Sequence, residues 1–290
     1  MSRRAARGLS LLLLALAAGC SNQPVTAPLV GGGSATVDLR FVAGALALAG
    51  DEGGGRGTAA ACDPAPTGFP TDLTGRIVIT AASGTTTTTA FEIPARTETT
   101  TLLIDGLAPG NGYRAAVDLS SDESAVFEGE STAFAVLPGG LTPVAVELLP
   151  QDRRAVIGLG PASLLGAEEI VIPVYAANSL AVRGIEFDLC FDPAVLTPAT
   201  TQPVGPRVTG FRAAAGEPST PGVLRAVLWS EQSSAAIGPG ADPVLELHFI
   251  FAPGVTPGTT SRLVFLSSIV TDAPENAPFE VYHFDAQVAR

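Results

Sequence analysis

The sequence predicts an all-β protein made of two consecutive β-sandwiches. Short runs of alternating apolar and polar residues recur along most of the chain, as half-buried strands require. Gly (32) and Pro (24) are frequent among the 290 residues and cluster between those runs, where turns need them. No apolar stretch of helical period is long enough to cover a core. The division in two comes from "LLPQDRR" (148–154), the one polar, charged stretch between two periodic regions.

Residues 1–19 read as a signal peptide. Arg3, Arg4 and Arg7 precede an apolar run from Leu9 to Ala18 that is too short for a stable membrane span. Leu16-Ala17-Ala18-Gly19-Cys20 resembles the bacterial lipobox, with the Leu one place earlier than usual. That resemblance implies that Cys20 is lipidated and becomes the new N-terminus. Ser21, rather than Asp, after the Cys implies the outer membrane. Removing residues 1–19 deletes three arginines and no acid, so the charge goes from −12 to −12 − 3 = −15. The lipid, not charge, is then the membrane link.

Residues 20–33 read as a flexible tether. A first strand is expected within 34–48, followed by a Gly/Pro-rich loop over 50–70 that contains Cys62. Strands are expected at 76–80, 87–93, 99–104, 113–119, 133–137 and 144–148. "LAPGNGY", Leu107 to Tyr113, resembles the tyrosine corner of fibronectin type III and related sandwiches, which implies that the Tyr113 hydroxyl bonds back to the backbone. Residues 34–150 are therefore expected to form an immunoglobulin/fibronectin-III-like sandwich. The Thr runs at 85–89 and 97–101 suit solvent-facing strands.

Residues 151–290 are expected to fold as a separate unit. Strands are predicted at 155–160, 168–178, 182–191, 223–230, 243–251, 261–268 and 279–288, with Pro173 marking an edge or a bulge. In "VRGIEFDLCFDPAVL" (182–196), Ile185, Phe187, Leu189 and Phe191 can all face one core. Asp192-Pro193 makes the turn that returns Leu196 to it.

The order of these features resembles a cohesin domain. An "IPV" strand precedes a strand in which Gly184, Ile185, Phe187, Leu189, Phe191, Asp192, Pro193 and Leu196 fill the family pattern. Leu245, Leu247 and Phe249 match a later strand, and Pro257, Gly258 and Thr259 a loop. Cys190 and the start of the last strand depart from the pattern. The resemblance implies a cohesin-like jelly-roll sandwich over 151–290 that docks a dockerin-bearing protein through one sheet face. No Asp-rich calcium loop of dockerin type is present, so this chain stands on the receptor side.

Other chemistries find little support. All 16 basic residues are arginine and the chain is acidic, a poor match to nucleic acid and without a lysine for a P-loop or Schiff base. His248 and His283 lack metal-site spacing, His248 being expected on a solvent face, and no metal or other cofactor is expected. Glu186 and Asp188 share a strand face, an arrangement open to a glycosidase pair, although a solvated or protein-binding surface suits a flat sheet better. Cys62 and Cys190 are either two separate thiols or a bridge that needs the two units to fold against each other. Trp229, the one tryptophan, either fills the core or stands exposed to stack on a sugar or anchor a partner.

The expectation is a non-catalytic, lipid-anchored envelope protein: Cys20 lipidated, and a partner bound by Glu186, Asp188, Arg225 and Trp229. The docked partner is expected to be linked to polysaccharide breakdown. A direct carbohydrate-binding lipoprotein and a purely structural envelope lipoprotein are the alternatives.

Overall fold

The computed structural model describes residues 32–40 and 69–290, apart from positions 96, 98, 122, 123, 167, 219, 274 and 276. The signal peptide, Cys20, most of the tether and the Cys62 loop lie outside the described residues. All regular structure described is β, save one short 3-10 turn at Pro206–Val208.

The first half of the chain forms β1 (Gly33–Arg40), β2 (Leu73–Thr80), β3 (Thr86–Ile93), β4 (Thr99–Leu107), β5 (Gly110–Ser121), β6 (Ser124–Glu130), β7 (Phe134–Val136), β8 (Leu141–Glu147) and β9 (Leu149–Pro150). One sheet runs β4-β1-β8, with β1 and β8 parallel; the other runs β3-β2-β5-β6-β9, with β7 also on β5. Strict alternation makes the core: Leu73, Ile77 and Ile79 from β2 and Tyr113, Ala115, Val117 and Leu119 from β5 point inward. The Tyr113 hydroxyl donates to the Ala108 carbonyl at 2.6 Å, so the tyrosine corner is present. The first strand stops at Arg40 in the described residues, and β6 and β9 were not foreseen.

The second half forms β10 (Arg154–Leu159), β11 (Ser163–Leu165), β12 (Glu169–Asn178), β13 (Val182–Cys190), β14 (Leu196–Pro203), β15 (Phe211–Gly216), β16 (Val223–Ser230), β17 (Pro243–Phe251), β18 (Thr260–Asp272), β19 (Glu280–Phe284) and β20 (Ala286–Ala289). Its two sheets run β14-β17-β12-β10-β19 and β15-β16-β13-β18-β20. Pro173 sits in the central strand β12, not at an edge, beside a register shift between Val174 and Tyr175. The run at 279–288 is two strands rather than one: β19 pairs β10 in one sheet, and β20 pairs β18 in the other. The chain crosses at Asp285, whose carboxylate accepts the Phe265 N–H at 3.0 Å.

Ile185, Phe187, Leu189, Phe191 and Leu196 are all buried in one core between these sheets, as their spacing predicts. Phe187 meets Phe265 edge-on at 5.3 Å and Phe191 meets Phe249 at 5.4 Å. Asp192 organises the turn: its carboxylate accepts the Ala194 N–H and its carbonyl the Val195 and Leu196 N–H groups.

A second apolar cluster joins the two halves. Val156, Ala177 and Phe284 from the second half share the core of the first, with Tyr175 and Tyr282 packed against it. Phe69 anchors the contact, with its ring 4.7 Å from Phe127, 4.9 Å from Tyr282 and 5.8 Å from Phe284. The covered surface is the outward side of β12, β10 and β19.

Candidate partner-binding face

The other sheet of the second half turns its outward side away from that contact. Pairing of β13, β15, β16 and β18 arranges this side in rows. Gly216, Arg225, Asp188 and Ser267 form one row across the strands, and Ala214, Val227, Glu186 and Ile269 form the next. Arg212 and Trp229 lie opposite each other beyond them. The four residues that the sequence nominated for a partner therefore share one surface. The nominated lipid site, Cys20, lies outside the described residues.

Asp188 and Arg225 are directly paired. Arg225 Nε donates to Asp188 Oδ1 at 2.7 Å and Nη2 to Oδ2 at 2.8 Å, and Ser267 Oγ adds a third bond to Oδ2 at 3.2 Å. The Arg225 hydrogen bond is the largest cause that holds the Asp188 carboxyl below the usual carboxylate range. Glu186 approaches the same guanidinium at 3.6 Å. Two carboxylates and one guanidinium leave one net negative charge, so Arg225 halves the negative charge that Glu186 and Asp188 bring to the sheet.

Trp229 is not a core residue. It alternates with the buried Ala226 and Leu228 and stands half-buried on the outward side with Arg225 and Val227. Its neighbours there are Arg212 and Val227, and among the described residues no second ring stands beside it to complete a flat sugar platform. Ala214, Ala215, Gly216, Arg225 and Val227 border a shallow depression beside it.

The apolar part of this face was missed by sequence reasoning. Ile269 is 55% exposed, and Leu266 is exposed as well. Alternation from Leu263 and Phe265 would turn Ser267 and Ile269 inward. Instead Leu189 pairs Phe265 while Asp188 pairs Ser267, so Leu266 is an extra residue in β18. This bulge reverses the sense of the strand: Val270 enters the core, and Ser267 and Ile269 face out. The strand β15 was missed too, because "FRAAAG" shows no alternation of polarity.

The histidines stand elsewhere. His248 lies on the outward side of the covered sheet, but its side chain is largely buried rather than solvated, with Nδ1 2.7 Å from Glu169 Oε1. His283 points between the sheets, stacks on Phe265 and bonds Ser268 Oγ at 2.6 Å through Nε2; burial pushes its pKa down to about 4. Among the described residues no group of three or more His, Cys, Asp or Glu is placed to hold a metal ion. Cys190 is disulfide-bonded, which corrects the alternative of two separate thiols; Cys62 itself lies outside the described residues.

No protein-family model matches the chain. No curated protein matches its sequence. Among solved structures it is similar to the solution structure of CaCohA2 from Clostridium acetobutylicum, at 19% identity over 48% of this chain and 92% of that one, with a TM-score of 0.39. It is also similar to a chain of the OlpA type I cohesin–dockerin complex from Clostridium thermocellum, at 15% identity over 47% and 98%, TM-score 0.40. A non-cellulosomal cohesin from Archaeoglobus fulgidus matches at 15% identity over 47% and 90%, TM-score 0.37. About half of the chain is thus similar in structure to cohesin domains. Identities of this size speak to fold alone and say nothing of function.

Proposed function

We propose that this protein is a lipid-anchored component of the bacterial envelope that docks a protein partner of dockerin type on the outward side of β15, β16, β13 and β18. It acts without catalysis. One observation carries the reading: the second sandwich has one outward sheet face packed against the first half of the chain, while the other presents Trp229, Val227, Ile269 and a self-paired charged row. An exposed apolar centre with polar groups already satisfied suits a protein partner, because little desolvation is left uncompensated on docking. Lipid attachment at Cys20 would tether the protein to a membrane, most simply the outer membrane of a Gram-negative cell.

The test is direct binding. Purified dockerin modules are titrated against the full chain by calorimetry. Trp229→Ala and Ile269→Asp should each weaken binding at least tenfold, about 1.4 kcal/mol, with the melting temperature kept. Binding that survives both changes moves the site off this face. The carbohydrate reading rests on Trp229 alone, a single half-exposed ring. Saturable binding of a soluble polysaccharide that Trp229→Ala abolishes would replace the protein partner with a glycan.

A further inference from the structure

Three loops meet at one pole of the first sandwich. Gly33 pairs with Leu107 and Ser34 with Leu141. The Gly139 N–H donates to the Gly32 carbonyl and the Ser34 N–H to the Gly140 carbonyl. Gly110 pairs with Val136. The described chain thus enters the sandwich wedged against the β7–β8 turn. Gly33 permits the wedge: a Cβ there would stand 2.4 Å from the Leu137 carbonyl oxygen and 2.5 Å from Val136.

The surface of this pole is apolar. Leu137 is 60% exposed and Leu141 59%. Ala108, Pro109, Pro138 and Pro143 are exposed around them. Residues 106–112 and 135–143 contain no charged side chain. The nearest charge is the exposed Asp105 carboxylate at the rim, which accepts from Ser34 Oγ at 2.6 Å. The parallel strands β1 and β8 both start here and run to the opposite pole, about 23 Å away for eight residues at strand rise. At that opposite pole Leu148 enters the cluster shared with the second sandwich.

We propose that this pole rests on the lipid surface, with Leu137 and Leu141 entering the interfacial layer. The inference rests on the lipid-anchor reading of Cys20. Eleven residues separate Cys20 from Gly32, a reach of at most roughly 40 Å over twelve chain steps, so the anchor keeps this pole close to the bilayer. Two leucines and a few prolines are a weak membrane contact by themselves. Tethering makes it effective, because it replaces bulk concentration with a local one on the order of millimolar. A tip whose one carboxylate, Asp105, sits at the rim and is bonded to Ser34 suits the contact, since the rest of this acidic chain is repelled by anionic headgroups. The orientation puts the second sandwich at the end away from the membrane.

The test uses the full chain produced with its leader, extracted in detergent and reconstituted into phosphatidylcholine–phosphatidylglycerol vesicles, with or without brominated acyl chains. Mass spectrometry of the N-terminal peptide reads acylation at Cys20 independently. Trp229 serves as an internal control far from the tip, and its emission should be the same in both vesicles. In Leu137→Trp, and separately in Leu141→Trp, emission should shift to the blue and be quenched by the brominated lipid. Acylated protein whose new tryptophan is not quenched overturns the proposal and leaves the anchor intact. A blue shift that ignores bromine assigns the tip to a protein contact, a second copy included, and also overturns it. Absence of acyl chains on Cys20 overturns both readings.

Discussion

Arg225 grips Asp188 across β16 and β13 through two parallel hydrogen bonds of 2.7 and 2.8 Å, and Ser267 Oγ closes the third side of the carboxylate. The geometry is bidentate, the arrangement in which guanidinium and carboxylate match best. It ties the central strands of the candidate face together and leaves Glu186 as its unbalanced charge.

Arg225→Leu should raise the Asp188 pKa toward the ordinary carboxylate range, read by carboxyl-carbon NMR titration. The folded-state pKa is depressed, so the stabilising effect of the pair is present above the unfolded carboxylate pKa of about 3.9 and is lost as pH falls through the folded value. Wild type should therefore lose stability below about pH 4 more steeply than Arg225→Leu. Equal slopes would mean that the pair is not formed in solution.

His283 acts in a different window. Its folded pKa is about 4 against an ordinary 6.5, so the unfolded chain binds the extra proton between those values and stability falls as pH drops from about 6.5 to 4. The full effect is on the order of 3 kcal/mol. His283→Gln can keep a bond to Ser268 and should flatten this slope in urea unfolding at pH 7 and 4.5. An unchanged slope would remove His283 as its source.

Phe187 is 2% exposed and packs edge-on against Phe265. Phe187→Ala should cost about 3–5 kcal/mol in denaturant unfolding. A loss under about 1 kcal/mol would contradict its burial in the second core.

Residues 151–290 carry a complete two-sheet core and should melt cooperatively when produced alone. Cutting there uncovers Val156, Ala177, Tyr282 and Phe284, so the fragment should melt below the full chain and bind a hydrophobic dye while folded. Restoring Phe69 and Phe127 in the full chain should abolish the dye signal. A fragment without dye binding would show that the shared cluster is not closed in solution.

Non-reducing peptide mapping should recover Cys190 joined to the Cys62 peptide. Cys190 is disulfide-bonded, the chain has three cysteines, and lipidation of Cys20 would consume that sulfur. Recovery of Cys190 joined to Cys20 would exclude the lipid anchor.

Much of the fold was legible because strand alternation is a local property. The pleat puts every second side chain on one side, so Ile185, Phe187, Leu189 and Phe191 declare their shared core without reference to anything distant. Asp192-Pro193 announces its turn and Tyr113 its corner for the same reason. Glu186 and Asp188 were placed on one outward face by alternation, whereas the sides taken by Arg225 and Trp229 were left to the tertiary structure. What misled was composition without period: β15 is too uniform in Ala to show a pattern, and the run at 279–288 looks continuous although its halves belong to different sheets.

The sequence by itself determined the all-β class, the places of many strands and which side of β13 is buried. Tertiary structure decided which surfaces remain for a partner. The Leu266 bulge turns Ile269 outward because β18 must satisfy its ladder with β13 at a register that no pattern within β18 encodes. Tyr282 and Phe284 are covered because Phe69 and Phe127, far away in the chain, supply the apolar surface against them. The charge of the face was decided in the same way: Asp188 and Arg225 are 37 residues apart and cancel only where the ladder sets them side by side. Burial and Coulomb energy depend on what lies within a few ångströms, and folding, not sequence separation, sets that distance.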